Sequence, residues 1–270
     1  MKMQLKLIWY LMKKDWEEAF RSKQVVLSST LLPLFMAVGV PLILMFSMNM
    51  APMGSTNVGL DIFMDILPPV TPDWDQFTDQ TRMLVITSVF GQIFLLLVPV
   101  MIASFVSADT IVGEKERQTI EGLLALPISD SDILSAKIGS SLLPILVLTW
   151  IMSGIYAFMV DLITYPYLER ILLPDLRFIL VMLIFTPLLG IGTITFIVMI
   201  SSRVSSTRDA QQLSGIFVLP AIVLIAGQLI IVLINIWLLL VGILILGGFD
   251  IIAFKLAITM FNREKLMSLT

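Results

Sequence analysis

The stretch "GEKERQTIEGLLALPISDSDILSAK", residues 113–137, is the most charged and most clearly patterned part of the sequence. Five charged side chains fall within eight positions and flank the apolar run "GLLALP". Histidine and cysteine are absent from the whole sequence, which removes the commonest metal ligand and general base together with thiolate chemistry. These residue types therefore suit the binding of a partner rather than hydrolytic or redox catalysis.

Two helices must position this stretch. The apolar residues of "TIEGLLAL" recur at helical spacing, and Pro127 ends that helix. Ser129, followed three positions later by Asp132, forms a capping box that starts the next helix. The pattern predicts a helix–turn–helix hairpin over residues 108–137, with an apolar tip and charged flanks.

Lipid must be the solvent for most of the chain. Of its 270 residues, 58% are hydrophobic and 14% are charged, with a mean hydropathy of +0.99, whereas soluble domains are about 25% charged. A helix needs about 20 apolar residues to cross a bilayer, and six continuous runs meet that length. We therefore expect an all-α integral membrane protein with six transmembrane helices rather than a β-barrel. The six predicted spans are 25–48, 83–107, 138–160, 178–200, 212–234 and 237–259.

The distribution of lysine and arginine sets the predicted orientation. If both termini lie on one side, that side holds 14 of the 17 basic residues, and the other side holds only Arg82, Arg170 and Arg177. Cytoplasmic segments carry the excess of basic residues. Both termini and the hairpin are therefore predicted to be cytoplasmic, in a multi-pass protein of the plasma membrane.

The charges of the hairpin have two explanations. One is that they only solvate a loop between two spans and set the orientation of the chain. Orientation, however, requires a few basic residues, not five charges in eight positions together with an apolar tip and a helix cap. We therefore interpret the hairpin as a docking element.

Residues 1–24 are predicted to form an amphipathic helix ahead of the transmembrane domain at 25–270. Apolar residues, including Trp9 and Trp16, recur at three- and four-residue spacing, and lysines and acids occupy the opposite face. This pattern is typical of a helix that lies along the inner membrane surface. Such a helix either only anchors the chain or also docks a cytoplasmic partner, and the sequence leaves both open.

Few polar residues lie inside the predicted spans, and those few are candidates for a transport pathway. Gln92, Gln228 and Asp250 stand out, because a polar group inside a bilayer is costly. The two glutamines could equally form interhelical hydrogen bonds. Asp250 either forms a cation site or a gate with Lys255, or begins a new helical segment after a break at Gly247–Gly248, and we favour the helix start.

Three ordered stretches resemble the permease subunits of type-2 ATP-binding-cassette (ABC) exporters, particularly the sodium-efflux-like branch. The hairpin resembles the family pattern E-K-E-x-G-T-[LI]-E-x-L-L-x-x-P-[IVL]-S, with Gln118 at the position of the usual glycine. We expect little effect from that departure, because glutamine is the better helix former. The other two stretches are "SSTRDAQQLSGIFVLP" at 205–220 and "FNREKLMS" at 261–268, which resemble the family's R-[ED]-A-Q-Q and F-x-R-E-K-L segments.

The resemblance implies a permease subunit that pairs with a second copy or a sibling chain and binds separate cytoplasmic ABC ATPase subunits. On that view the chain is not itself an enzyme and binds no cofactor or metal, since ATP and magnesium belong to the ATPase. The sequence also contains no G-x-x-x-x-G-K-[ST] phosphate loop. The first 23 residues would be the family's amphipathic connecting helix, and the hairpin would be its coupling region. The implied partner-binding residues are Glu114, Lys115, Glu116, Arg117, Glu121, Leu123, Leu124, Leu126, Pro127 and Ser129.

Two other functions fit the same features. A gradient-driven secondary transporter or channel would work without an ATPase and would depend on an intramembrane ionisable group such as Asp250. A non-transporting membrane scaffold would use the hairpin only to recruit a partner. The small net charge of −3 gives no indication of nucleic-acid binding.

Overall fold

The computed structural model describes residues 2–21, 23–50, 73–118, 130–201, 204, 206, 207, 209, 210, 212 and 235–260. All regular structure in these residues is helical, without a strand among them, as predicted for an all-α protein. The helices in chain order are α1 (Lys2–Arg21), α2 (Lys23–Leu34), α3 (Val40–Met50), α4 (Asp79–Glu116), α5 (Asp130–Leu168), α6 (Leu176–Leu180), α7 (Thr186–Ser201) and α8 (Ile236–Met260).

Within the described residues, five helical stretches are long and apolar enough to cross a membrane. They correspond to five of the six predicted spans. The remaining one, the predicted fifth span at 212–234, lies outside the described residues except for its first position. The five stretches are Val25–Ile43, Thr81–Glu114, Asp132–Leu168, Leu176–Ile200 and Ile236–Thr259.

The ends of the packed helices lie together in two groups, which we call the hairpin end and the loop end. The hairpin end holds the C-terminus of α4 and the N-terminus of α5, so these two packed helices run antiparallel. The loop end holds residues 73–78 and 169–175, where Arg170 forms an ion pair with Asp73. Helices α7 and α8 both run from the loop end toward the hairpin end and pack side by side.

Apolar contacts between α4, α5 and α7 form the core. Helix α4 is the most buried of the five spans and packs against α2, α5 and α7. Its residues Leu96 and Ile102 are fully buried in one cluster with Ile145 of α5 and Ile194 of α7. Helix α8 instead leaves most of its apolar surface exposed, which suits contact with lipid or with another chain.

Two spans contain a short π-helix that ends two residues before a proline. The segments are Phe35–Gly39, before Pro41, and Val181–Phe185, before Pro187. Proline lacks the N–H group that would close the preceding turn, and a local π-turn is one way to accommodate the freed carbonyl. The spans therefore continue through prolines that would end a helix in water.

Polar contacts between α5 and its neighbours hold the loop end together. Asp161 Oδ1 accepts hydrogen bonds from the backbone N–H groups of Leu172 and Leu173 at 2.8 and 2.9 Å. Arg170 of the same loop reaches across to Asp73, before the start of α4. These contacts fix the loop against α5 and against the segment that precedes α4.

Candidate functional site

Helices α4 and α5 lie on either side of residues 119–129, which contain the tip of the predicted hairpin and lie outside the described residues. Helix α4 continues to Glu116, well past the predicted end of the second span, and α5 begins at Asp130. The 38 residues of α4 make a helix about 57 Å long, against roughly 30 Å for a bilayer core. Six of the predicted partner-binding residues lie outside the described residues, namely Glu121, Leu123, Leu124, Leu126, Pro127 and Ser129.

Glu114 is buried where α1, α4 and α5 meet. Its Oε1 accepts a hydrogen bond from Nζ of Lys14 at 2.8 Å and lies 3.5 Å from Nζ of Lys137. Only 4% of the Glu114 side chain is exposed, so it has almost no surface to offer another chain. Its position instead suits holding α1 and α5 against the end of α4.

Asp15 of α1 is the second acid at this junction, and the sequence pattern does not single it out. Its carboxylate accepts two hydrogen bonds from Nζ of Lys137, at 2.8 and 3.0 Å, and one from Oγ of Ser140 at 2.9 Å. The adjacent Trp16 donates from Nε1 to the carbonyl of Ser140 at 2.6 Å. We use the name basal cluster for Lys14, Asp15, Glu114, Lys137 and Ser140.

The basal cluster contains two acids and two lysines, so its formal charges cancel. The side chains of Lys137 and Asp15 are 3% and 5% exposed. Burial raises the pKa of Asp15 above its ordinary value, against the opposing effects of the Lys137 ammonium and of the hydrogen bonds from Lys137 and Ser140. Because lost hydration offsets much of the attraction in such a pair, we interpret the cluster as selecting one arrangement of three helices rather than adding net stability.

Glu116 connects the end of α4 to the segment that precedes the predicted fifth span. Its carboxylate accepts hydrogen bonds from the backbone N–H of Thr207 at 2.8 Å and from the Thr207 hydroxyl at 3.2 Å. A helical turn starts here, closed by the bond from Ala210 N–H to the Ser206 carbonyl at 3.1 Å. Glu116 therefore caps this turn from another helix. This contact joins the E-K-E pattern of the hairpin to the "STRDAQQ" pattern.

The remaining described residues of the predicted coupling region lie at the end of α4. Lys115 is part of the helix, and Arg117 and Gln118 follow it as an exposed turn. The expectation that glutamine suits position 118 as a helix former is wrong. The helix ends at Glu116, and Gln118 has a backbone φ of 56°, the left-handed conformation that glycine adopts without a steric cost.

The predicted pathway residues have separate surroundings. Gln92 is buried in α4 and lines a cavity of about 520 Å³ at the loop end, beside Arg170 and Arg177. Gln228 lies outside the described residues. Asp250 lies in α8, among the contacts of that helix with α7.

Asp250 does not begin a helix. Helix α8 runs unbroken through Gly247–Gly248 and Asp250, so the helix break predicted there is wrong. An unbroken helix keeps its backbone groups hydrogen-bonded, which outweighs the weak helix preference of two glycines where water is absent. The Asp250 side chain points toward Gly192 of α7. Lys255, the suggested gate partner, is exposed, and in the described part of the chain Asp250 has no hydrogen-bond partner.

Tyr156 is a packing residue that the sequence pattern does not single out. It is fully buried in α5, and its hydroxyl donates to the Ser88 carbonyl of α4 at 2.7 Å. Its hydroxyl occupies the space that a side chain at Gly91 would need. A tyrosine in an apolar run does not reveal its partner, which lies 68 positions away. Only Lys137 could have indicated the basal cluster from the sequence. It is a lysine at the edge of a predicted span, and a lysine there requires a counter-charge.

Comparison with known proteins adds one match. The sequence model of a family described as "ABC-2 family transporter protein" matches residues 9–237. The matched range contains most of α1, the whole hairpin region and the "STRDAQQ" segment, and it ends at the start of α8, before Asp250. No curated protein matches the chain. Among the described residues, no group of three or more acids is placed to hold a metal ion.

Proposed function

The chain belongs to the ABC-2 transporter family, and on that premise we propose that it is the permease subunit of an ABC exporter driven by a separate ATPase subunit. In this proposal the ATPase binds ATP and magnesium on the cytoplasmic side. The hairpin at 108–137 passes the resulting movement to the spans, and substrate moves outward. The chain itself contributes no catalytic residue and binds no cofactor.

The observation that carries this proposal is the family match over residues 9–237. This range holds most of the helix α1, the two helices that flank the hairpin tip, and the segment before the fifth span, which are the elements of the proposed coupling role. The alternative of a gradient-driven transporter or of a scaffold draws on no comparable match.

The contacts at the hairpin end support a role in transmitting force. The basal cluster ties α1, α4 and α5 together through two buried ion pairs and the partly buried Lys14–Glu114 pair. Glu116 adds a connection to Thr207, before the fifth span. A push on the tip would therefore act on the connecting helix, on two spans and on the approach to a third at the same time.

The predicted partner-binding residues then divide into two roles. Glu114 and Glu116 position the base of the hairpin, because their carboxylates are already bonded within the chain. Direct contact with the ATPase falls to Arg117, which is exposed, and to the predicted tip residues from Glu121 to Ser129. The apolar "GLLALP" of the predicted tip is suited to bind in an apolar cleft of the partner.

The complete transporter in this proposal contains two permease chains, either two copies or two siblings, and two ATPase subunits. Both termini and the hairpin face the cytoplasm, which the distribution of 14 of 17 basic residues supports, and the assembly lies in the plasma membrane. The exposed apolar surface of α8 provides area for lipid or for the second chain. The resemblance of three motifs supports assignment to the sodium-efflux-like branch.

Reconstitution with an ABC ATPase encoded by a neighbouring reading frame tests the proposal. We expect the purified chain to bind that ATPase and to change its rate of ATP hydrolysis in proteoliposomes. Glu121→Lys at the tip should weaken both effects. Asp79→Lys, at the loop end where Asp79 is 90% exposed, is the matched control and should change neither. If the wild-type chain neither binds the ATPase nor alters hydrolysis, the proposal fails.

A further inference from the structure

Asp250 is an acid inside a span whose carboxylate has no partner in the part of the chain that the structure describes. The residue is 5% exposed, and neither Oδ1 nor Oδ2 has a hydrogen-bond partner. It lies about 21 Å along α8 from the loop-end start of that helix. A charged carboxylate at this depth would be neither hydrated nor paired, which is strongly unfavourable.

Among the residues that the structure describes, no cation is placed to neutralise this carboxylate. The segments Val181–Phe185 and Thr186–Ser201, which pack against α8, contain no charged residue, and neither does the predicted fifth span at 212–234. Lys255 follows five positions later on α8, which places it on a different side of the helix, and it is exposed. Helix α5 also contacts α8, and its charged residues lie toward its two ends: Asp130, Asp132, Lys137 and Asp161.

The carboxyl group of Asp250 lies directly against the backbone of Gly192 on α7. A Cβ atom on Gly192 would lie 2.6 Å from Asp250 Oδ1 and 3.7 Å from its Cγ. The carboxyl group therefore fills the space that the missing side chain of Gly192 leaves. A hard cation would require about six oxygen ligands, and the described residues place no hydrogen-bonding group on either carboxylate oxygen. A proton is the one cation that needs no additional space.

We propose that Asp250 is a proton-binding site that is occupied while α7 and α8 are packed as described, and that release of the proton separates these two helices. With the proton bound, the neutral acid fits between apolar helices. Without it, the charge has to be reached by water or by a cation, which requires the helices to part. The site is a property of this chain alone and does not depend on the proposed ATPase partner.

Infrared spectroscopy of the full chain in lipid nanodiscs tests the occupancy directly. At neutral pH we expect the C=O stretch of a protonated carboxylic acid, and part of this band should disappear in Asp250→Asn. Asp79→Asn removes an exposed acid and should leave the band unchanged. A band of the same intensity in wild-type and Asp250→Asn would show that Asp250 is ionised, and it would overturn the proposal.

The movement of the helices needs a second measurement, which uses the native aspartate and so does not depend on the folding of Asp250→Asn. The sequence contains no cysteine, so spin labels can be placed at the exposed positions Leu183 and Leu244 without a background signal. The distance between the labels should lengthen as the pH rises from neutral to alkaline. A distance that stays constant over this range would refute the coupling between proton release and helix separation.

Discussion

At position 118, the backbone angle φ determines which residue type gives the most stable protein. A φ of 56° places this residue in the left-handed region, where a Cβ atom crowds the following carbonyl and costs about 1–2 kcal/mol. Good helix formers are an advantage only inside a helix, and α4 ends two positions earlier, at Glu116. The sequence predicts the hairpin but does not reveal that the helix ends before Gln118 or that Gln118 takes the left-handed conformation.

Replacing Gln118 by glycine is expected to stabilise the protein by about 1 kcal/mol, because glycine adopts this angle without the Cβ contact. The measurement is the midpoint of thermal unfolding in detergent, which should rise. Gln118→Ala keeps the Cβ atom and should leave the midpoint where it is. The same gain from both variants would show that the backbone angle is not the cause.

Lys137 is the residue on which the basal cluster depends most. In Lys137→Met, Asp15 and Glu114 lose the cation that they share, and leaving such charges buried costs about 3–5 kcal/mol. Lys13→Met is the matched control, because Lys13 is 60% exposed and pairs with exposed Glu17 within α1, a contact worth less than about 1 kcal/mol. The midpoints of thermal unfolding measure the loss of stability in Lys137→Met and in Lys13→Met.

Neutralising the acids should reverse most of the damage in Lys137→Met. When Asp15→Asn and Glu114→Gln are added to it, no buried acid remains without a counter-charge. The triple variant should therefore unfold at a higher temperature than Lys137→Met alone. If the added substitutions lower the midpoint further, the loss in the single variant comes from packing and not from unpaired charge.

At the scale of helices, a small residue on α4 allows a large one on α5 to come close. Gly91→Ala would place a methyl group on the Tyr156 hydroxyl, and such overpacking costs about 1–3 kcal/mol. Gly154→Ala is the control on α5, since nothing lies within 4 Å of a Cβ there and alanine is the better helix former. The midpoint of thermal unfolding should fall in Gly91→Ala and should not fall in Gly154→Ala.

Tyr156→Phe provides the cross-check for this contact. It removes the hydroxyl that meets the new methyl group, so Gly91→Ala should cost less in the Tyr156→Phe background than in the wild type. Equal costs in both backgrounds would place the origin of the destabilisation elsewhere on α4.

The helices were predictable from the sequence to the extent that lipid imposes their length. Crossing a bilayer requires a long continuous apolar run, and this requirement yields the five spans of the described residues and separates them from the charged helix α1. The unbroken course of α8 was not predictable, because local preference at Gly247–Gly248 points the other way. Contacts between helices were not predictable either, because they join residues that are far apart in the sequence. Asp15 and Lys137, for example, are 122 positions apart.

At the scale of the whole molecule, the ion pairs between separate elements that the described residues form lie at the two ends, and long helices connect these ends. The basal cluster and Glu116 fix the hairpin end, while Asp161 and the Arg170–Asp73 pair fix the loop end. Helices α4 and α5 pass without interruption from one end to the other. If the predicted hairpin moves, its displacement would therefore reach the loop end through two continuous helices.

Site-specific crosslinking tests most directly whether the hairpin tip is the docking element for an ATPase. Because the chain has no native cysteine, Leu124→Cys in the tip and Leu176→Cys at the loop end, where Leu176 is 62% exposed, each give a single reactive site. With the ATPase co-expressed, the account predicts a crosslinked product from Leu124→Cys and none from Leu176→Cys. A product from Leu176→Cys alone, or from neither variant although the complex forms, would contradict it.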